Sequence, residues 1–165
     1  MASHTLDVPP ETIGALTITP TRELALQIAE TFKRLGQFAE PRPRVLTIIG
    51  GTSIDDQLTA LSSGVDIVVA TPGRLLDLME REAININHVQ TLVLDEADKL
   101  LDVGFNDELT VLLNALPRQR QSLLFSATLP QKVLNLSSRV LNDPTVVRID
   151  EKPASVATIE QRVYQ

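Results

Sequence analysis

Five times along this chain a short apolar run gives way to a polar turn and then to a helical repeat, and a sixth apolar run follows the last helix. That alternation restricts the fold more than any other feature, because consecutive strands separated by helices pair in parallel and need helices to cover the sheet. The apolar runs are Ala15–Thr19, Val45–Ile49, Asp66–Ala70, Thr91–Leu94, Ser122–Phe125 and Thr145–Ile149. Between them lie helix starts of familiar chemistry. Thr21 can cap a helix with Glu23 in its first turn, Ser53 with Asp56 suits a second, and Pro72 and Pro130 suit first-turn positions. Leu24, Ile28, Phe32 and Leu35 recur at helical spacing, as do Ile54, Leu58 and Leu61, and then Leu75, Leu76 and Met79. Leu109, Leu112, Leu113 and Leu116 form a fourth stripe, and Val133, Leu134, Leu136, Val140 and Leu141 a fifth.

In an open α/β sheet, ligands bind beyond the carboxyl ends of the strands. Those ends carry the residues of interest. Thr91-Leu-Val-Leu runs into Asp95, Glu96 and Asp98. Two adjacent carboxylates there suit a hydrated Mg²⁺ on a phosphate chain, the first holding the metal through water and the second taking a proton from an attacking water. From these residues alone, a strand ending in a solvated acidic turn is the favoured reading. After the first strand, Arg22 beside a helix N-terminus suits a phosphate, with Glu23 holding the arginine. Gly50-Gly51 permits a tight turn and close backbone approach. Thr71, Pro72, Gly73 and Arg74 offer a hydroxyl, free N–H groups and a cation to a second phosphate. Ser126 and Thr128 end the fifth run and would ordinarily satisfy local backbone groups. His88 reads as a loop residue and Phe105 as a packing residue.

Composition bounds the rest. At 165 residues and 43% hydrophobic, the chain is long enough for one domain with a core of its own. It has no cysteine, which removes disulfides and thiolate sites and fits a reducing compartment, the cytoplasm, or the nucleus or nucleolus in a eukaryote. No apolar run reaches membrane-span length, so no membrane is expected as a partner. A formal charge of −6 argues against a broad polyanion-binding surface and leaves room for a narrow one built from helix ends and a few arginines.

Four of these strand-end segments stand in the order and wording of one family. Asp95-Glu96-Ala97-Asp98 resembles motif II of the DEAD-box ATP-dependent RNA helicases, Pro20-Thr21-Arg22-Glu23-Leu24-Ala25 resembles motif Ia, Thr71-Pro72-Gly73-Arg74 resembles motif Ib, and Ser126-Ala127-Thr128 resembles motif III. Gly50 and Gly51 stand where the family has a Gly-Gly near the RNA. Asp102-Val103-Gly104-Phe105 is similar to the family's continuation of motif II. The resemblance implies a RecA-like α/β fold, a parallel sheet flanked by helices on both faces. It implies ATP and Mg²⁺ in the parent protein, with Asp95 and Glu96 as the nucleotide and catalytic residues, Asp95 reaching Mg²⁺ through water. It implies coupling through Asp98, Ser126 and Thr128. It also implies RNA-backbone contact by Pro20, Thr21, Arg22, Glu23, Gly50, Gly51, Thr71, Pro72, Gly73 and Arg74, and a second RecA-like domain carrying arginine fingers.

None of the seven glycines is followed by lysine, so no Gly-Lys phosphate loop is present in these residues. The family's Gln motif is not found either. Residues 1–13 are expected to be disordered or tag-derived, 14–150 to form a partial first RecA-like domain lacking the P-loop strand, and 151–165 to lead toward a second domain. Tight nucleotide binding is not expected of this chain alone. The resemblance is taken to place the missing strand between those of motifs II and III. A gap in the sheet is therefore expected, with self-association through it. Two other functions compete: a non-catalytic RNA- or protein-binding module, and a metal-dependent nuclease using Asp95, Glu96 and Asp98.

Overall fold

The computed structural model describes residues 12–149. Expectations for residues 1–11 and 150–165 lie outside the described residues, while Ile13 is part of the core. Five strands form one wholly parallel sheet: β1 (Ala15–Ile18), β2 (Val45–Ile48), β3 (Ile67–Ala70), β4 (Thr91–Leu94) and β5 (Gln121–Leu124). Their order across the sheet is β2-β3-β1-β4-β5. The helices are α1 (Arg22–Gly36), α2 (Ile54–Ser62), α3 (Pro72–Glu80), α4 (Ala97–Asp102), α5 (Asn106–Ala115) and α6 (Gln131–Val140).

The layering follows from the handedness of parallel crossovers. From β1 to β2 the chain travels one way across the sheet, and from β2 to β3, β3 to β4 and β4 to β5 it travels the other way. Right-handed connections then put α1 on one face and α2, α3, α4 and α5 on the opposite one. The side chains agree. Ala25 and Ala29 of α1 pack with Ile49 and Val69 as one buried cluster, while Leu16, Ile18, Val68, Leu92 and Leu94 join Leu75, Leu78, Leu100, Leu109, Leu112, Val133 and Leu136 in the main core. Val68 and Val69 alternate between the two clusters, as a strand covered on both faces requires.

Local differences from the sequence reading have simple causes. In α1 the small residues Ala25 and Ala29 make the tight contact, and Leu35 is left exposed. In α3 it is Leu78, not Leu76, that joins Leu75 inside. Leu134 of α6 is exposed, while Val133, Leu136 and Val140 are inside. The short α4 lies in a segment too brief for helical periodicity to announce it.

Two larger expectations fail. Thr145–Ile149 is not a strand, and Val146, Val147 and Ile149 stand exposed. A strand exists only by pairing, and no described residue pairs with this one. The sheet is also unbroken between β4 and β5, which pair directly from Thr91↔Gln121 to Leu94↔Leu124, extended by the Phe125 N–H donating to the Leu94 carbonyl at 2.9 Å. Leu92 and Leu94 are fully buried, so an unpaired edge beside them would strand backbone groups away from water. Direct pairing with the next strand in the chain satisfies them. The open edges are the outer sides of β2 and β5, unpaired among the described residues, and the expected gap, with self-association through it, loses its basis.

Candidate nucleic-acid interface and acidic site

Adjacent strands β1 and β3 send their helices, α1 and α3, to opposite faces of the sheet. That divergence opens a crevice at the carboxyl edge, the place where such sheets take ligands. A cavity of about 350 Å³ lies there, lined by Pro20, Arg22, Gly50, Thr71, Gly73, Arg74 and Phe105. The fold thus gathers four segments that are far apart in the chain.

On one side is the start of α1. Thr21 caps it, its hydroxyl accepting the Leu24 N–H at 3.3 Å. The Arg22 guanidinium reaches across to the Gly50 carbonyl at 2.9 Å. The carbonyl of Gly50, and not Glu23, is therefore what holds Arg22; Glu23 contributes an acidic first-turn charge to α1. Gly51 takes φ +75°, which favours glycine at this turn, and a Cβ there would displace the Arg22 guanidinium from its place beside it.

On the other side is the start of α3. Thr71 stands at its N-cap without a side-chain capping bond, and Pro72 opens the helix. The N–H groups of Gly73 and Arg74 precede the first intrahelical donor, the Leu75 N–H, which reaches the Thr71 carbonyl at 3.2 Å, so this helix end presents unfilled donors and the positive end of its dipole to the crevice. Arg74 donates to the Thr52 carbonyl at 3.3 Å and lies 3.7 Å from Asp77. Both guanidinium groups are thus anchored on carbonyls of one loop, two residues apart.

That loop is itself held from beneath. Gln57 is 4% exposed, and its amide nitrogen donates to the Ile49 carbonyl, the Thr52 hydroxyl and the Ser53 carbonyl at 3.2, 2.7 and 3.2 Å. Gln57 is a site-building residue that the sequence reading did not single out, and Phe105, read there as a packing residue, packs on the main core and also lines the crevice. Their only signal was position, one a glutamine on the buried stripe of an amphipathic helix, the other an aromatic after a glycine.

Nothing lies within 4 Å of a Cβ placed on Gly50 or Gly73, and neither has positive φ. The fold does not demand glycine at either position. Gly73→Ala is therefore expected to leave the melting temperature within about 1–2 °C of the parent, while weakening any ligand that approaches the α3 N-terminus closely. Thermal unfolding beside anisotropy with a phosphate-bearing ligand would check both halves.

The acidic residues separate into two groups. Asp95 and Glu96 are half-buried at the end of β4, where the Asp95 N–H donates to the Ile18 carbonyl at 3.0 Å. One Asp95 carboxylate oxygen accepts the Glu96 N–H at 2.9 Å. Glu96 adopts φ +48°, a left-handed conformation uncommon outside glycine, and pairs with Lys99 at 2.7 Å. This pairing raises the Lys99 ammonium above its ordinary range.

Asp98 points elsewhere. It is buried, and it accepts the Thr128 hydroxyl at 2.7 Å, the Thr128 N–H at 3.0 Å and the Lys99 N–H at 3.0 Å. Ser126 completes the junction: its oxygen accepts the Asp98 N–H at 3.2 Å, and its hydroxyl donates to the Thr128 carbonyl at 2.6 Å. The Thr128 hydroxyl bond, ahead of these N–H contacts, holds the Asp98 carboxyl below the usual range against the opposing effect of burial. With Asp98 committed to Ser126 and Thr128, no group of three metal-binding side chains forms among the described residues. That removes the three-carboxylate centre a nuclease reading needs. Asp95 retains one carboxylate oxygen without a described partner, a donor that fits contact with Mg²⁺ through water but not a closed metal cage.

A family model described as DEAD/DEAH box helicase matches residues 2–136. The ATP-dependent RNA helicase CshA of Listeria monocytogenes is 41% identical over 158 residues, covering 96% of this chain and 30% of that protein. Among solved structures, the yeast DEAD-box splicing factor Prp28 aligns with a TM-score of 0.75 at 34% identity, over 82% of this chain and 34% of that one. A DEAD box protein from Methanococcus jannaschii aligns with a TM-score of 0.74 at 40% identity, over 80% and 36%. The chain spans about a third of the length of the curated relatives it matches. No helix among the described residues is long and apolar enough to cross a membrane.

Proposed function

Because this chain belongs to the DEAD/DEAH box helicase family, we propose that it is the RNA-gripping and coupling part of an ATP-dependent RNA helicase. The observation that carries this reading is the crevice itself, in which two anchored arginines and two helix N-termini converge on one loop. Such a site holds consecutive phosphates and reads no base edge, so it binds RNA with little sequence preference. Pro20, Thr21, Arg22, Glu23, Gly50, Gly51, Thr71, Pro72, Gly73 and Arg74 form or border it. Single-stranded RNA or a short duplex is the ligand, and a second RecA-like domain is the partner in the whole protein. The cytoplasm is the compartment that an RNA ligand and a cysteine-free chain fit.

In the whole protein, bound Mg-ATP supplies a phosphoryl group for transfer to water. The residues of this chain take defined parts around it. Asp95 would hold Mg²⁺ through water, and Glu96, which pairs with Lys99 at 2.7 Å in this chain, would accept the proton of the attacking water. Asp98 ties the helix that follows Glu96 to Ser126 and Thr128, so displacement at one strand end is felt at the next. The 165 residues contain no Gly-Lys phosphate cradle, so the isolated chain grips RNA without hydrolysing nucleotide. Calorimetric titration of this chain with Mg-ATP is expected to give no saturable heat at millimolar nucleotide. Saturable binding would mean that a pocket is completed by other groups.

The decisive experiment for the RNA reading is anisotropy with a labelled oligouridylate at several salt concentrations. The double substitution Arg22→Ala, Arg74→Ala is expected to weaken binding about tenfold or more at low salt, and to reduce the log–log salt slope by about 2. Unchanged affinity and slope would place the RNA elsewhere.

A further inference from the structure

We infer that Phe105 forms the sugar-binding wall of the crevice, packing its ring against one ribose held between two gripped phosphates. This rests on the RNA reading above and deepens it. Arg22 and Arg74 are anchored on the carbonyls of Gly50 and Thr52, two residues apart on one loop, and each stands in the first turn of its helix. Two such grips suit successive phosphates of one strand. What lies between successive phosphates is one sugar, and its exposed C–H face is apolar.

The lining of the same crevice offers two apolar rings, Pro20 and Phe105. The remaining lining is cationic side chains, a threonine and glycine backbone. Phe105 is not a mobile surface group. Its N–H donates to the Leu100 carbonyl at 3.2 Å, its carbonyl accepts the Leu109 N–H at 2.9 Å, and its half-buried ring packs on the main core. The ring is therefore a fixed wall. A fixed apolar wall in the same crevice as two cationic grips suits the alternation of a sugar–phosphate chain, and it adds affinity that depends on neither base identity nor charge.

The test compares the parent chain with Phe105→Leu, which keeps an apolar side chain on the core but removes the flat face. Three probes are titrated by competition anisotropy: oligouridylate, an abasic oligoribonucleotide that keeps every ribose, and inorganic polyphosphate, which has phosphates without sugars. The expected result is roughly fivefold weaker binding of the first two, with polyphosphate affinity and the salt slope unchanged. Equal weakening of polyphosphate would mean that the ring only props the crevice open, and would overturn the inference. Loss confined to the base-bearing probe would mean base stacking, and would overturn it too. So would unchanged binding of all three. If the parent chain binds no RNA, or if Arg22→Ala with Arg74→Ala leaves binding intact, the RNA reading itself fails and this inference with it.

Discussion

Asp98→Ala is expected to lower the unfolding free energy by roughly 2–4 kcal/mol, because it removes the acceptor of three donors at a buried junction. The Thr128 hydroxyl, the Thr128 N–H and the Lys99 N–H lose their partner together. For a domain of this size the melting temperature would fall by about 10 °C. The effect has a pH signature. The Asp98 carboxyl titrates below its ordinary range in the folded chain. Its contribution is therefore fully present above the unfolded value, near pH 4, and is lost as the pH falls through the lower folded value. The gap between parent and Asp98→Ala should narrow when denaturation is repeated at pH 5, 4 and 3. Asp66 is depressed in the same direction by Arg44 and gives the parent a further acid-labile contribution that this substitution leaves in place. A gap that stays constant down to pH 3 would show that the junction does not depend on the Asp98 charge.

Leu92→Ala is the other large expectation, at roughly 2–5 kcal/mol. Leu92 is fully buried on the interior strand β4, paired with Leu16 on one side and Ser122 on the other. Flanking strands hydrogen-bonded on both sides leave little room for collapse into the cavity, which favours the upper half of that range. Leu134→Ala, on an exposed position of α6, serves as the matched control and should cost less than about 0.5 kcal/mol. Comparable losses from the two substitutions in urea titrations would contradict the assigned core.

The elements of the sheet were readable because each apolar run is short and the first two helix starts carry their own capping chemistry. Thr21 and Ser53 do cap where their spacing says they should. Strand order was not readable, since pairing partners are chosen by which backbone edges must be satisfied, and the expected gap beside β4 ignored that demand. Thr145–Ile149 misled for a related reason: β-branched residues describe a segment suited to pairing without supplying its neighbour. At the site, residues whose chemistry is explicit in one letter, such as Arg22, Asp98 and Thr128, were legible. Gln57 was not, and Phe105 was legible only as the packing residue it is, because a buried amide and a half-buried ring acquire their place in a site only from what the fold sets beside them.

The five strands are in flush register, with Ala15, Val45, Ile67, Thr91 and Gln121 on one level and Ile18, Ile48, Ala70, Leu94 and Leu124 on another. The functional segments therefore start from a common baseline, and their relative heights are set by backbone pairing rather than by the loops. A slip of one residue in any single strand would retract its loop by about 3.3 Å and exchange its two faces. Errors of alignment are thus all-or-none, and loop sequences can drift without miscalibrating their neighbours.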